Sequence, residues 1–458
     1  VQTATTTEVG GIFGRRYLWV TVGMCALILL AAFEALAVTT VMPTVSAELH
    51  GAHLYALAFS APLAMGIVGM VAAGNWSDRH GPRAPLFLCV VLFVVGLAIV
   101  GVASTMEVLV VGRIVQGLGA GGLTVALYVI VARVYPPVLH ARIFAAFSAA
   151  WVVPSLIGPL IAGLVTEHFG WRWVFLGVIV LVVLAMGMVV PAMRSLAGGE
   201  AEPPPWNLRR LGWAVLASVA VLVVNISAEA EGPARWILPV LAVAVAVYAL
   251  RPLLPSRTLL AARGLPSVIL VRDLIGGAFF GAEVYVPYLL TKDFAFTASG
   301  AGLALTAAGL TWAGASWLQS RLETRVSGGA SFQLGSSLLA LSIATVLVTA
   351  IFALVPGTAI VGWAFAGAGM GFMFPRTSVM TLGYSTAQNQ GFNSSALVIA
   401  DSIGASVSLA ATAVVFAALS PLGSAWAFAG CFALTAAFAA IAAVLGSRVD
   451  VATVPAAR

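Results

Sequence analysis

The sequence predicts an all-α integral membrane protein: two pseudo-symmetric six-helix bundles plus an inserted helix pair, fourteen spans in all. Three observations carry this expectation. Of 458 residues, 61% are hydrophobic and only 8% charged, with a mean hydropathy of +1.06. A soluble domain carries about 25% charged residues, so most of this chain must be solvated by lipid. The apolar residues also fall into runs of about 20, the length a helix needs to cross roughly 30 Å of hydrocarbon. Finally, a polar hairpin in the first half has a counterpart in the second, as two related halves would produce.

Spans are expected at 17–42, 53–75, 84–104, 107–131, 142–166, 172–192, 210–228, 234–252, 266–290, 296–318, 333–353, 357–379, 391–418 and 424–446. The first follows Arg15 and Arg16, as a signal peptide would. Its run is too long for one and lacks a small-residue cleavage site, so an uncleaved span is expected. It contains Glu34. A carboxylate near a bilayer centre costs roughly 2.5–3.5 kcal/mol on insertion scales, and such a group marks a functional site by default.

The second span ends in the hairpin Gly74-Asn-Trp-Ser-Asp78-Arg79-His-Gly81-Pro82-Arg83, with Leu86 beyond it. Gly81 suits a tight turn, and Asp78 is placed to pair with an arginine or with the N-terminus of a neighbouring helix. Those five residues (Gly74, Asp78, Arg79, Gly81 and Arg83) form a candidate conformational latch; an ordinary positively charged turn is the plainer alternative. In the second half, Gly314 to Gly328 repeats the pattern of glycine, mixed charge (Arg321, Glu323, Arg325) and glycine.

The fourth span holds Arg113, Gln116, Gly117 and Gly121. Gly117 and Gly121 form a face for close helix packing. Arg113 either snorkels to the interface or stays buried at the depth of Glu34, where it would favour the ionised carboxylate while burial opposes it. The fifth span carries Pro154, Gly158, Pro159, Ala162 and Gly163, a kinked and thin helix face.

After the sixth span comes a polar, proline-rich linker, 198–205, and then the extra pair, where Asn225 suits a helix–helix hydrogen bond. Residues 1–192 are therefore expected as the first bundle, 193–265 as linker and inserted pair, and 266–458 as the second bundle. There, Arg272 and Asp273 are expected as an ion pair near the inner interface. Glu283 lies in the outer half of the same span, a candidate proton or cation site or else an acid near the outer mouth, and Asp401 lies about ten residues into 391–418, a candidate second protonation or substrate site. Gln388, Gln390, Asn393 and Ser394 are expected at the inner mouth, and Gly367 and Gly371 at a packing face. Trp76, Trp151, Trp312, Trp317, Tyr285 and Tyr288, with Gln116, are candidates for the wall of a central cavity.

Basic residues sort strongly. With the N-terminus inside, sixteen arginines fall in inner loops, and only Arg172, Arg235 and Lys292 fall outside. Both termini are thus expected in the cytoplasm. The net charge of +6 does not indicate nucleic acid, because no basic patch interleaves with aromatics. Cys25, Cys89 and Cys431 lie singly in apolar runs, with neither disulfide nor metal spacing. The five histidines, His50, His53, His80, His140 and His168, show no metal spacing either. No phosphate-binding G-x-x-x-x-G-K-[ST] and no nucleophile elbow occurs, so neither ATP-driven work nor an enzyme is expected, and no cofactor.

Together these segments resemble the major facilitator superfamily, specifically its drug:proton antiporters with fourteen spans. Gly74 to Leu86 is similar to the family hairpin G-x-L-a-D-r-x-G-r-k-x-x-l, with Pro82 replacing a basic residue. Leu109 to Gly121 resembles the fourth-helix motif l-x-x-x-R-x-x-q-G-x-g-a-a, which implies a proton-transfer role for Arg113. Gly158, Pro159 and Gly163 resemble the antiporter motif g-x-x-x-G-P-x-x-G-G, departing from it at Pro154 and Ala162. Phe33-Glu34 to Pro43 resembles the first-helix motif, with Glu in place of Asp.

The resemblance implies a proton-coupled secondary transporter in a bacterial cell membrane, a monomer that exports apolar or cationic small molecules by alternating access. Glu34, Arg113, Glu283 and Asp401 would couple protons. A lipid or glycolipid exporter on the same scaffold is the main alternative, a solute importer a weaker one, and a non-transporting receptor or scaffold the alternative of another class.

Overall fold

The computed structural model describes residues 11–51, 54–194, 206–226, 232–296, 298–322 and 325–450. The 198–205 linker, His53 and Glu323 lie outside the described residues.

Six helices form the first bundle: α1 (Leu18–Glu48), α2 (Tyr55–His80), α3 (Arg83–Gly101), α4 (Met106–Val134), α5 (Pro137–Phe169) and α6 (Arg172–Arg194). Two more follow, α7 (Leu208–Ile226) and α8 (Ala234–Leu250). The last group is α9 (Leu265–Glu283), α10 (Tyr285–Asp293), α11 (Ala298–Leu322), α12 (Gly328–Phe352), α13 (Gly357–Gly383), α14 (Gln390–Leu419) and α15 (Ser424–Leu445). Helices dominate because a chain in hydrocarbon must satisfy its backbone groups within each segment.

The packing repeats. In the first bundle α1 lies on α5 and α6, α2 on α4, and α3 on α4 and α6. In the second, α9 lies on α14 and α15, α11 on α13, and α12 on α13 and α15. The order α9–α15 thus reproduces α1–α6. The bundles meet chiefly through α2 against α14 and α5 against α11, and α7 packs along α2.

The glycine faces explain the closest approaches. A Cβ on Gly117 would run into Pro62, and one on Gly121 into the Gly66 carbonyl. In the equivalent helix, a Cβ on Gly367 would meet the Ala308 carbonyl and one on Gly371 the Trp312 carbonyl. Matching glycine pairs therefore let α4 touch α2 and α13 touch α11, backbone to backbone.

The span expected at 266–290 is present as one apolar stretch, Leu265–Asp293, and its helix is interrupted at Val284 between α9 and α10. Pro287 has no N–H to offer the Glu283 carbonyl four residues earlier, so the ladder opens there. Eleven stretches of the described residues are long and apolar enough to cross a membrane.

The hairpin between α2 and α3 forms as the sequence suggests. Gly81 takes φ 80°, a backbone angle that side chains with a Cβ rarely adopt, and α3 begins two residues later. Its second-half counterpart ends α11 at Leu322 and starts α12 at Gly328, with the Ser327 hydroxyl accepting from Ala330 N at 3.1 Å. The cysteines are core residues: Cys89 and Cys431 are buried and Cys25 is half-buried.

Overpacking the α2–α4 contact tests this account. Gly121→Val is expected to destabilise the purified protein by about 1–3 kcal/mol, read as a lower thermal midpoint in detergent. Gly187→Ala on α6, where a Cβ would meet nothing within 4 Å, is the matched control with no loss.

Candidate functional site

Glu34 on α1 is 7% exposed and Arg113 on α4 is 4% exposed. Their side chains form an ion pair through Arg113 Nη1 and Glu34 Oε1. The same Nη1 donates to Gln116 Oε1 at 2.8 Å, and Arg113 Nε donates to the Ala58 carbonyl of α2 at 3.0 Å. Arg113 is thus held by three helices and does not snorkel. Gln116, one turn below it, is 1% exposed, and its amide nitrogen has no partner among the described residues. The sequence offered no sign of the Ala58 carbonyl, since any backbone oxygen can serve. Helix ends are also staggered. Arg113 lies about 10 Å into α4, while α1 runs some 21 Å past Glu34 to Glu48, further than the apolar run alone suggested.

Gly158 of the fifth-helix motif is buried on α5 against the Phe33 ring, 3.6 Å from where its Cβ would sit. It therefore seats the residue next to Glu34. Gly163 has no neighbour within 4 Å of a Cβ. The Pro159 side chain lies outside what is described.

The second bundle holds its own buried arginine. Arg272 of α9 is 2% exposed. Its Nε donates to Asp401 Oδ1 at 3.0 Å and its Nη2 to Asp401 Oδ2 at 3.4 Å, a fork onto α14. Its Nη1 donates to Thr377 Oγ1 at 2.7 Å and to the Phe374 carbonyl at 3.1 Å, and the Phe374 ring centroid lies 3.1 Å away. The expected pairing of Arg272 with Asp273 is not what forms. Consecutive helical residues point about 100° apart and do not face each other, so Arg272 reaches α14 instead. Asp273 packs beside Gly404 and has no hydrogen bond or ion pair among the described residues. Glu283, the last residue of α9, is half-buried and likewise has no such partner among them.

Of the candidate latch residues, Gly74 and Asp78 sit at the seam between the bundles. Asp78 accepts from Gly391 N at 2.5 Å and from Phe392 N at 2.8 Å, the first turn of α14. Those amides have no intrahelical acceptors, and the helix dipole favours an anion there. A Cβ on Gly74 would come within 2.6 Å of the Gly391 carbonyl, so the two helices touch through glycine. Arg133 Nη2 donates to the Ala387 carbonyl at 3.3 Å. Arg83 is exposed at the start of α3. Asn393 donates to Ser385 Oγ at 2.8 Å and Asn389 Oδ1 at 3.2 Å, shaping the turn before α14.

The candidate cavity residues separate into different neighbourhoods. Gln116 belongs to the Arg113 cluster. Trp312 lies edge-on to Phe279 and Phe374, 5.2 and 5.1 Å between centroids, and so adjoins the Arg272 cluster. Tyr285 and Tyr288 flank Phe416 at 5.4 and 5.5 Å. Trp151 is half exposed on α5. Trp76 instead meets Trp206 at the foot of α7, 6.4 Å between centroids. No cluster of three metal-ligating side chains occurs among the described residues.

At the opposite end of the first bundle, Glu48 accepts from Trp171 Nε1 at 2.9 Å and from Arg172 Nη1 at 2.6 Å. Hydrogen bonds from Arg172 and then Trp171 hold its carboxyl below the ordinary carboxylate range.

A family profile described as Major Facilitator Superfamily matches residues 24–316. Among curated relatives, an MFS efflux transporter of Aspergillus oryzae is 33% identical over 209 residues, 44% of this chain and 37% of that protein. A probable multidrug-efflux transporter of Mycobacterium tuberculosis is 32% identical over 219 residues, 45% of this chain and 46% of its own. An uncharacterised MFS-type transporter of the same organism is 29% identical over 292 residues, 60% of this chain and 41% of that one. The matching stretch thus spans less than half the length of each of these relatives. Among solved structures, the human organic anion transporter MFSD10 aligns with a TM-score of 0.69 at 15% identity, covering 93% of this chain and 99% of that one. The proton:xylose symporter XylE aligns at 0.66 and 14% identity, covering 93% and 94%. At such identities the likeness is one of fold.

Two measurements test the electrostatics. Arg113→Ala strands a buried carboxylate and is expected to cost about 3–5 kcal/mol in unfolding stability; Glu34→Gln, which keeps an acceptor, is expected to cost less, and equal losses would show the pair is not coupled. Because the folded Glu48 titrates below its unfolded value, its contribution is complete at neutral pH and disappears as pH falls through the folded pKa. The partners are 48% and 37% exposed, so the effect stays below about 1 kcal/mol. Glu48→Gln is expected to flatten the acid side of the stability profile below about pH 4.3, the ordinary glutamate value.

Proposed function

The chain belongs to the Major Facilitator Superfamily, and from that premise we propose that it is a proton-coupled exporter of hydrophobic or cationic small molecules. The buried Glu34–Arg113 pair carries this reading. A carboxylate and a guanidinium facing each other inside hydrocarbon can exchange a proton for a change of partner, because loss of the carboxylate charge frees the arginine. Gln116 and the Ala58 carbonyl keep Arg113 satisfied at that moment. Each proton moving down the membrane potential contributes about 2.3 kcal/mol per 100 mV. In the second bundle, Asp401 with Arg272, and Glu283 at the α9 break, are the proposed partners in coupling.

The arginine-rich end, where Asp78 lies, is read as cytoplasmic in a plasma membrane, so both termini face the cytoplasm. The Asp78 contact with α14 closes the seam there, which corresponds to a cavity open to the other side. Release of that contact lets the bundles rock about the seam. Gly158, Pro159 and Gly163 on α5 thin a helix that also contacts the second bundle, the place where a rocking motion needs tolerance. Trp312, Tyr285, Tyr288 and Trp151 supply aromatic surface suited to apolar cargo. The efflux names borne by several relatives agree with this direction of transport. The protein is proposed to act as a monomer, without cofactor, metal or nucleic acid.

Everted vesicles supplied with a cationic fluorescent dye test the coupling. Glu34→Gln is expected to lower proton-driven dye efflux at least tenfold while dye binding to the purified protein is retained. Wild-type efflux by that variant would remove Glu34 from the mechanism.

A further inference from the structure

We propose that the inserted pair is a working part of the latch: α7 lays Arg210 across the seam and positions Phe392, the residue whose amide Asp78 accepts. This rests on reading the Asp78 contact as a conformational latch, and adds a third element to it.

The geometry is specific. Asn207 Oδ1 accepts from Arg210 N at 3.0 Å and so fixes the first turn of α7. Just before it, the Trp206 ring lies 6.4 Å from Trp76 of α2, and the Arg79 guanidinium stands 5.9 Å from the same Trp206 ring. The foot of α7 is therefore anchored on the first bundle. One turn on, the Arg210 guanidinium lies 3.8 Å from the centroid of the Phe392 ring of α14, in the second bundle. Phe392 N donates to Asp78 Oδ2 at 2.8 Å. A single short segment thus grips both sides of the seam at the point where they join.

Two consequences follow. The cation–π contact orders the Phe392 backbone in the orientation that presents its N–H to Asp78. It also places a second guanidinium, after that of Arg133, near a carboxylate whose hydrogen bonds come from helix amides. When the bundles separate at this end, Arg210 must leave Phe392, because α7 travels with α2. Arg210 is thus a positioning residue for the closed seam. Its neighbour Arg209 is exposed and shows no such contact among the described residues.

Thiol labelling of the full-length protein tests this directly, independently of any cargo. With Cys25, Cys89 and Cys431 replaced by alanine, Ser395→Cys supplies a reporter. Ser395 is 3% exposed and sits 3.1 Å from the position of a Gly74 Cβ, so it reacts with N-ethylmaleimide only when the seam parts. Asp78→Asn is expected to accelerate labelling at least tenfold. Arg210→Ala and Phe392→Leu are each expected to accelerate it about threefold to tenfold, with the double variant no faster than either alone. Arg210→Lys keeps the charge without the flat stacking surface and is expected to give a smaller acceleration; it also serves if the alanine variant does not fold. Arg209→Ala is expected to label like the parent.

Unchanged labelling in Arg210→Ala, with acceleration in Asp78→Asn, overturns the role of α7 and leaves the latch standing. Equal acceleration by Arg209→Ala also overturns it, since general charge would then suffice. No acceleration in Asp78→Asn removes the latch itself.

Discussion

Hydrocarbon offers no hydrogen-bond partner, so each charge placed inside it must be answered by the protein. That constraint organises the structure. Arg113 and Arg272 sit at 4% and 2% exposure, and each gathers a carboxylate, a backbone carbonyl and an uncharged side-chain oxygen from other helices or the next turn. Each thereby fixes the rotation of the helices it touches, because a rotation of one residue would leave a guanidinium unpaired in oil. The glycine pairs at 117/121 and 367/371 serve the same end. They bring backbones close enough for short arms to reach across.

The seam between the bundles is built differently. Among the described residues no arginine lies within hydrogen-bonding range of Asp78; it meets two amides at the start of α14. A helix N-terminus carries only about half a charge, so this contact holds less firmly than a buried ion pair. The difference suits the two locations. Inside a bundle the pairs fix helix against helix, and under the proposed rocking motion the contact between bundles is the one that has to open. A gap of about 5.5 kcal/mol is enough to swing a two-state equilibrium from 1:99 to 99:1, and a few amide, glycine and ring contacts are of that order.

What the sequence discloses follows from the same physics. Glu34 and Arg113 are legible because a charge in an apolar run is conspicuous wherever it lies. Asp78 is legible as an anion awaiting either a cation or a helix end, and the helix end is what it meets. The glycine faces are legible from their spacing. The Arg272–Asp401 pair is not, since it joins residues 129 apart and depends on the rotation of both helices. Sequence adjacency pointed to Asp273, and helical geometry forbids that choice. The interruption at Val284 was available in Pro287, and it lies within the one apolar run that the sequence showed. The candidate cavity residues scatter for a similar reason: an aromatic side chain packs equally well inside a bundle, at the seam or against lipid, and composition does not distinguish these.

The two arginine clusters also differ in how fully each carboxylate is engaged. Asp401 meets Arg272 as a fork, with both carboxylate oxygens engaged, and the Phe374 ring closes over the guanidinium. Protonating Asp401 must break one of those bonds and disturb a saturated site. Glu34 meets Arg113 through Oε1 alone; its second oxygen has no hydrogen bond among the described residues. A proton can settle on that oxygen while the remaining partners of Arg113 stay in place, and the unpaired Gln116 amide offers a donor for the rearranged cluster. Pseudo-symmetry of fold thus need not mean symmetry of chemistry. The site in the first bundle leaves one carboxylate oxygen open, whereas the one in the second ties α9 to α14 through both.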